Sequence, residues 1–159
     1  MVNGRHTRKI RKPTYFPKKY FRGLSRRNKT IRKREIQKFG SLHWRNPTAY
    51  KGFKTDLKVK SKPSAYTTKW YTLYPGAKSL EQKAKVTGVP LKYIKGSYNR
   101  GMAAWRTGHR PGATEQQWGY ARVHSFLLKG KTYHTTDSDL AQKAKEESKS
   151  AKKYFGSFN

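Results

Sequence analysis

Hydrophobic positions fall into two regimes along this chain. Up to about residue 65 they are isolated aromatics among lysines and arginines, as in "PTYFPKKYFRG" and "NPTAYKGFKTDLKVK". Further on they recur at the three- and four-residue intervals of amphipathic helices. The change predicts three parts: a basic extended arm over 1–65 with one helix near 25–39, a helical core domain over 66–135, and a C-terminal helix and tail over 136–159. The predicted fold class is mainly α, a small helical domain with a helix-turn-helix-like hairpin behind a long extended basic arm.

Individual elements follow from local chemistry. In "SRRNKTIRKREIQKFG", Ser25 can cap a helix and Gly40 can end it, with Ile31, Ile36 and Phe39 as a narrow apolar stripe. "YTTKWYTLYPG" (66–76) is rich in Thr, Tyr and Trp and predicts a short strand ending in a Pro-Gly turn. Ser79 with Gln82, and Thr114 with Gln117, have the spacing of capping boxes. Gly88 and Gly130 stand where their helices should stop. Between them Leu91, Ile94 and Tyr98 keep helical spacing, as do Trp118, Ala121, Ser125 and Leu128. The last segment, "TDSDLAQKAKEESKSAKKYFGSFN", places acids first and lysines last, the order a helix dipole favours, before a short aromatic tail.

Charge changes the picture of what the arm needs. The 159 residues carry a formal charge of +30, with 21 Lys+Arg against 2 acids in residues 1–65 alone. Such a density opposes compaction and calls for a polyanion or an acidic protein surface. There is no cysteine, which excludes disulfides and thiolate metal sites. No apolar run approaches the roughly 18 residues of a membrane span, and an apolar signal segment is missing from the N-terminus. Synthesis and retention in the cytoplasm or nucleus are expected, with electrostatic contact to a membrane surface still open.

Two constellations are candidates for chemistry. Ala84, Gly88 and Ile94 have the spacing of a helix-turn-helix, which would turn Lys92, Tyr93, Lys95, Ser97 and Arg100 toward a DNA groove; a plain helical hairpin has the same spacing. The loop "WRTGHRPGAT" holds Arg106, His109 and Arg110 near glycines, a set able to meet phosphate or acidic partners. Trp105 and Trp118 are expected to pack the two helices together across this loop as the domain core. Residues 66–135 contain only Glu81 and Glu115 as carboxylates, and the five histidines lack close metal spacing. A phosphate-binding glycine loop is likewise missing, so neither an enzyme nor a cofactor or metal is expected.

The arm itself has aromatics at irregular spacings: Tyr15, Phe16, Tyr20, Phe21, Trp44, Tyr50 and Phe53. Pure genome condensers are simpler and poorer in rings, so this pattern favours docking on protein, with Tyr15, Phe16, Tyr20, Phe21, Arg26, Arg27 and Trp44 as contacts. The same residues could stack on unpaired bases and pair with phosphates.

The stretches "PTYFPKKYFRGLSRRNKTIRKREIQKF" and "TGVPLKYIKGSYNRGMAAWRTGHRPGATEQQWGYARVHSFLLKGK" resemble a family of small basic virion proteins of unknown function from large double-stranded DNA viruses, with versions in chloroviruses and marseilleviruses. Matching positions are Gly88, Gly101, Ala103, Gly108, Arg110, Pro111, Thr114, Trp118, Gly119, Ala121, Arg122 and Gly130–Lys131. Met102, Ala104 and Trp105 depart from the small polar residues usual there, and Gly130 is single where a pair is usual. The resemblance implies a virion component beneath the capsid or near the genome. The expected function is a minor capsid protein, present in many copies, whose arm laces the shell to other capsid proteins. The alternative is a virion protein that binds and packages viral DNA.

Overall fold

The computed structural model describes residues 15–39, 42, 46, 52–108 and 111–157. A 3-10 turn (Lys18–Phe21) leads into α1 (Arg26–Phe39), and a second 3-10 turn (Lys54–Lys58) precedes the helical body. The body comprises α2 (Ala65–Leu73), α3 (Leu80–Thr87), α4 (Leu91–Gly108), α5 (Glu115–Leu127), α6 (Lys131–His134), α7 (Ser138–Glu147) and α8 (Lys149–Gly156). No strand occurs among the described residues. The protein is mainly α, as its sequence predicts.

The strand expected at 66–74 is instead α2. Ser64 caps it by accepting from the Tyr66 N–H at 3.3 Å. Tyr66, Trp70 and Tyr74 recur every four positions, so a helix puts all three rings on one side. Trp70 is fully buried and its indole N–H donates to the Ala77 carbonyl at 3.1 Å. Burying so large a side chain is worth roughly 2 kcal/mol or more. That outweighs the tenths of a kcal/mol by which Thr, Tyr and Trp disfavour helix.

Both expected capping boxes form, Ser79 with Gln82 on α3 and Thr114 with Gln117 on α5. Gly88 ends α3 in the left-handed conformation, and its N–H returns to the Ala84 carbonyl at 2.8 Å. The single C-terminal helix of the sequence reading is two, because Ser148 ends α7 and accepts from the Ala151 N–H to start α8. The aromatic tail is not free either. Tyr154 and Phe155 are buried, the Tyr154 hydroxyl donates to the Leu127 carbonyl, and Phe155 packs on Phe126 and Tyr133.

At the centre, α4 and α5 form an antiparallel hairpin, with Trp105 opposite Ala113 and Gly101 opposite Gly119. A Cβ on Gly101 would lie 2.8 Å from both the Gly119 Cα and the Trp118 carbonyl oxygen. These are backbone atoms and cannot step aside. Gly101→Ala should therefore cost about 1–3 kcal/mol despite alanine's better helix propensity. Gly96→Ala is the control: its Cβ would meet only Leu140 methyls at 3.4 Å and 3.5 Å, so stability should hold or rise. Urea midpoints of the two variants check the contrast.

Trp105 is buried, as expected for the core. Trp118 is not its twin: it stays half-buried and lines an open groove on α5, so its removal should disturb folding less than a core tryptophan would.

Candidate nucleic-acid interface

The protein has eight carboxylates, and their placement decides which cations remain available. In the arm there are two, Glu35 and Asp56. Both are drawn to one inward-facing arginine. Arg32 of α1 is fully buried, with its guanidinium 2.6 Å from Asp56 Oδ1 and 3.2 Å from Thr55 Oγ1, and 4.5 Å from the Phe53 ring centre. The Thr55 hydroxyl donates in turn to Glu35. Phe53 is buried and stacks on Phe39 at 5.7 Å, and it touches Trp105 at 6.3 Å. The clasp thus fastens the 3-10 turn at 54–58 to α1, and α1 to the helical body.

Around α1 the remaining cations fall on the opposite half. Arg26, Arg27, Lys29, Lys33, Arg34 and Lys38 are all exposed, and at 100° per residue they span one side of the helix. None of the six forms an ion pair among the described residues. The result is a one-sided cationic helix, rigidly based. Arg26 and Arg27 belong to the sequence-predicted set. Lys29, Lys33, Arg34 and Lys38 were missed, and their only signal was the pair of acids that marks Arg32 as the inward residue.

The other predicted residues divide. Tyr15 is 84 % exposed, whereas Phe21 is buried and Phe16 packs edge-on against it at 6.2 Å. Tyr20 is half-buried. Trp44, Tyr50, His109 and Arg110 lie outside the described residues. Arg106 is half-buried beside Glu115, and its guanidinium donates to the Leu42 carbonyl at 3.5 Å.

The hairpin face that would read a groove is a seam between α4 and α7. Ser97 is fully buried and donates to Asp137 at 2.8 Å. Arg100 binds Asp139 through two bonds of 2.8 Å and 2.7 Å, reaches Asp137 at 3.2 Å, and holds the Asp139 carboxyl well below the usual carboxylate range. Lys92 pairs with Glu147 at 2.7 Å, and the Tyr93 hydroxyl donates to the same carboxylate. Lys92 and Lys95 alone of the five are exposed. The turn ahead of them is clamped by α8, since the Ser148 and Ser150 hydroxyls both donate to the Gly88 carbonyl. Placing Ser97 and Arg100 in a DNA groove would require breaking this seam.

Two buried bases sit on the far side of α5. Lys83 is fully buried, donates to the carbonyls of Ala77 (2.6 Å) and Lys78 (3.0 Å), and lies over the rings of Trp70, Tyr71 and Tyr120; burial lowers it to about 8. His124, also fully buried, stacks on Trp70 at 5.7 Å with Nδ1 2.9 Å from the Thr67 hydroxyl. Burial, aided by the Lys83 charge, lowers it to about 3 and keeps it neutral. Lys83 is anchored by carbonyls rather than by an acid, so the pair has the marks of a packed core.

These features define a small, helical, strongly basic protein in which Asp56, Asp137, Asp139 and Glu147 tie elements together through ion pairs, while α1 keeps a cationic outer face. The chain belongs to the DUF5824 family of unknown function, which it matches over residues 17–145, from the first 3-10 turn through most of α7. No curated protein and no solved structure matches it.

Proposed function

We propose that the protein is a structural, non-catalytic virion component that grips the phosphate backbone of the packaged genome through the outer face of α1. The observation that carries this is the sidedness of that helix: six exposed cations on one half, and both arm carboxylates engaged with Arg32 and Thr55 on the other. Backbone phosphates are the partner a sequence-blind cationic helix suits, because each neutralised phosphate releases condensed counterions. The aromatics that favoured protein docking support it less than their number suggests, since Phe21 and Phe53 are buried within the chain. The virion setting rests on the resemblance to proteins of large DNA viruses.

One observation favours the second reading, a minor capsid component lacing the shell: Tyr15 stands 84 % exposed just ahead of Lys18 and Lys19. An exposed ring beside exposed lysines suits an acidic protein surface. Particles of the encoding virus, opened gently in moderate salt and separated into shells and released genome, distinguish the two. Genome binding predicts that the protein leaves with the DNA and comes off at higher salt. Retention with DNA-free shells would overturn it in favour of capsid lacing.

A further inference from the structure

Beside α5 lies a groove of about 1160 Å³, walled by α5, by α2 and by the extended segment 59–64, which the Ser61 hydroxyl ties to the Gly112 carbonyl at 2.7 Å. Its volume exceeds the roughly 300–1,000 Å³ that hold a drug-sized ligand, so it has room for more than one nucleotide. Tyr71, Trp118 and Tyr120 form part of the wall, each half-buried with area left to cover. Arg22, Lys60 and Lys62 stand exposed at the rim, and no carboxylate is among the lining residues. His124 lines it as well. With Nδ1 held by Thr67, its buried Nε2 is left without a hydrogen-bond partner.

We propose that this groove takes an unpaired stretch of nucleic acid, with bases stacked on Trp118 and its neighbouring tyrosines and phosphates on Arg22, Lys60 and Lys62. Rings that stack on any base, set beneath cations that follow a backbone, are the two parts of a single-strand platform. The charge pattern excludes a cationic or acid-seeking occupant, and the aromatic wall gives a duplex nothing to use, because paired bases hide their faces. The inference rests on the proposed affinity for nucleic acid, yet it assigns single strands to the groove and duplex to α1.

The test measures wild-type affinity for a short oligothymidylate and for a duplex at matched salt, then repeats both with Trp118→Ala and with Lys60→Gln/Lys62→Gln. The rim variant alters only exposed side chains and so guards against misfolding. Loss of base stacking should weaken oligothymidylate binding about tenfold while duplex affinity stays put. Trp118→Phe should retain most of the single-strand affinity. A wild-type protein that binds duplex without this site-specific response on single strands sinks the groove and leaves the α1 reading standing. Failure to bind either nucleic acid sinks both.

Discussion

Asp137→Ala should lower folding stability by about 3–5 kcal/mol, the penalty for stranding buried charge and donors. The Asp137 carboxylate is fully buried and joins three helices. Arg122 of α5 meets it with Nε at 3.1 Å and Nη2 at 2.8 Å, Arg100 of α4 at 3.2 Å, and the Ser97 hydroxyl at 2.8 Å. Arg100 retains Asp139 after the exchange, but Arg122 is left largely enclosed without a counter-charge, and Ser97 without an acceptor. Asp137→Asn keeps the shape while losing the charge and should fall between. Urea denaturation followed by circular dichroism reads the shift, and an unchanged midpoint for Asp137→Ala would remove this carboxylate as the node of α4, α5 and α7.

Acidification is the second large effect. His124 has a folded value near 3 against 6.5 for the free side chain. Between those values the unfolded chain holds a proton that the folded chain refuses, so stability must fall as pH drops from about 6.5 toward 3. By pH 4 the loss from this one group should be about 3 kcal/mol. His124→Phe preserves a ring against Trp70 and removes the titration, so it should flatten stability between pH 6.5 and 4.5. A variant with the wild-type slope would place the acid sensitivity elsewhere. Below that window Asp139 adds its own loss, since Arg100 holds its carboxyl low only while it is ionised.

What the sequence disclosed, and what it hid, divides by the range of the interaction. Ser79, Gln82, Gly88, Thr114 and Gln117 act within one helical turn, so their capping roles could be read directly. Gly101 and Gly119 stood out in the family pattern, but their reason is a helix crossing between residues 18 positions apart, which no local rule contains. The rings of 66–74 were read by β-propensity when their four-residue spacing pointed to a helix, and tertiary burial of Trp70 decided it. The candidate site was legible as charge and not as geometry. Seven basic residues in α1 were visible, yet only the distant Thr55 and Asp56 turn Arg32 inward and give the other six a common face. Ser97 and Arg100 fit a recognition-helix pattern locally and are claimed instead by acids about 40 residues later.

The central claim is that α1, and not charge in general, carries the proposed affinity for duplex DNA. It is tested by two variants of equal charge: Arg26, Arg27, Lys33 and Arg34 exchanged for glutamine on α1, and Lys143, Lys149, Lys152 and Lys153, all exposed on α7 and α8, exchanged likewise. Duplex affinity is measured across a salt series. The α1 variant should show a slope of log affinity against log salt that is shallower by about 3 to 4, while the α7–α8 variant keeps the wild-type slope. Equal losses in the two variants would contradict the account and reduce the binding to net charge.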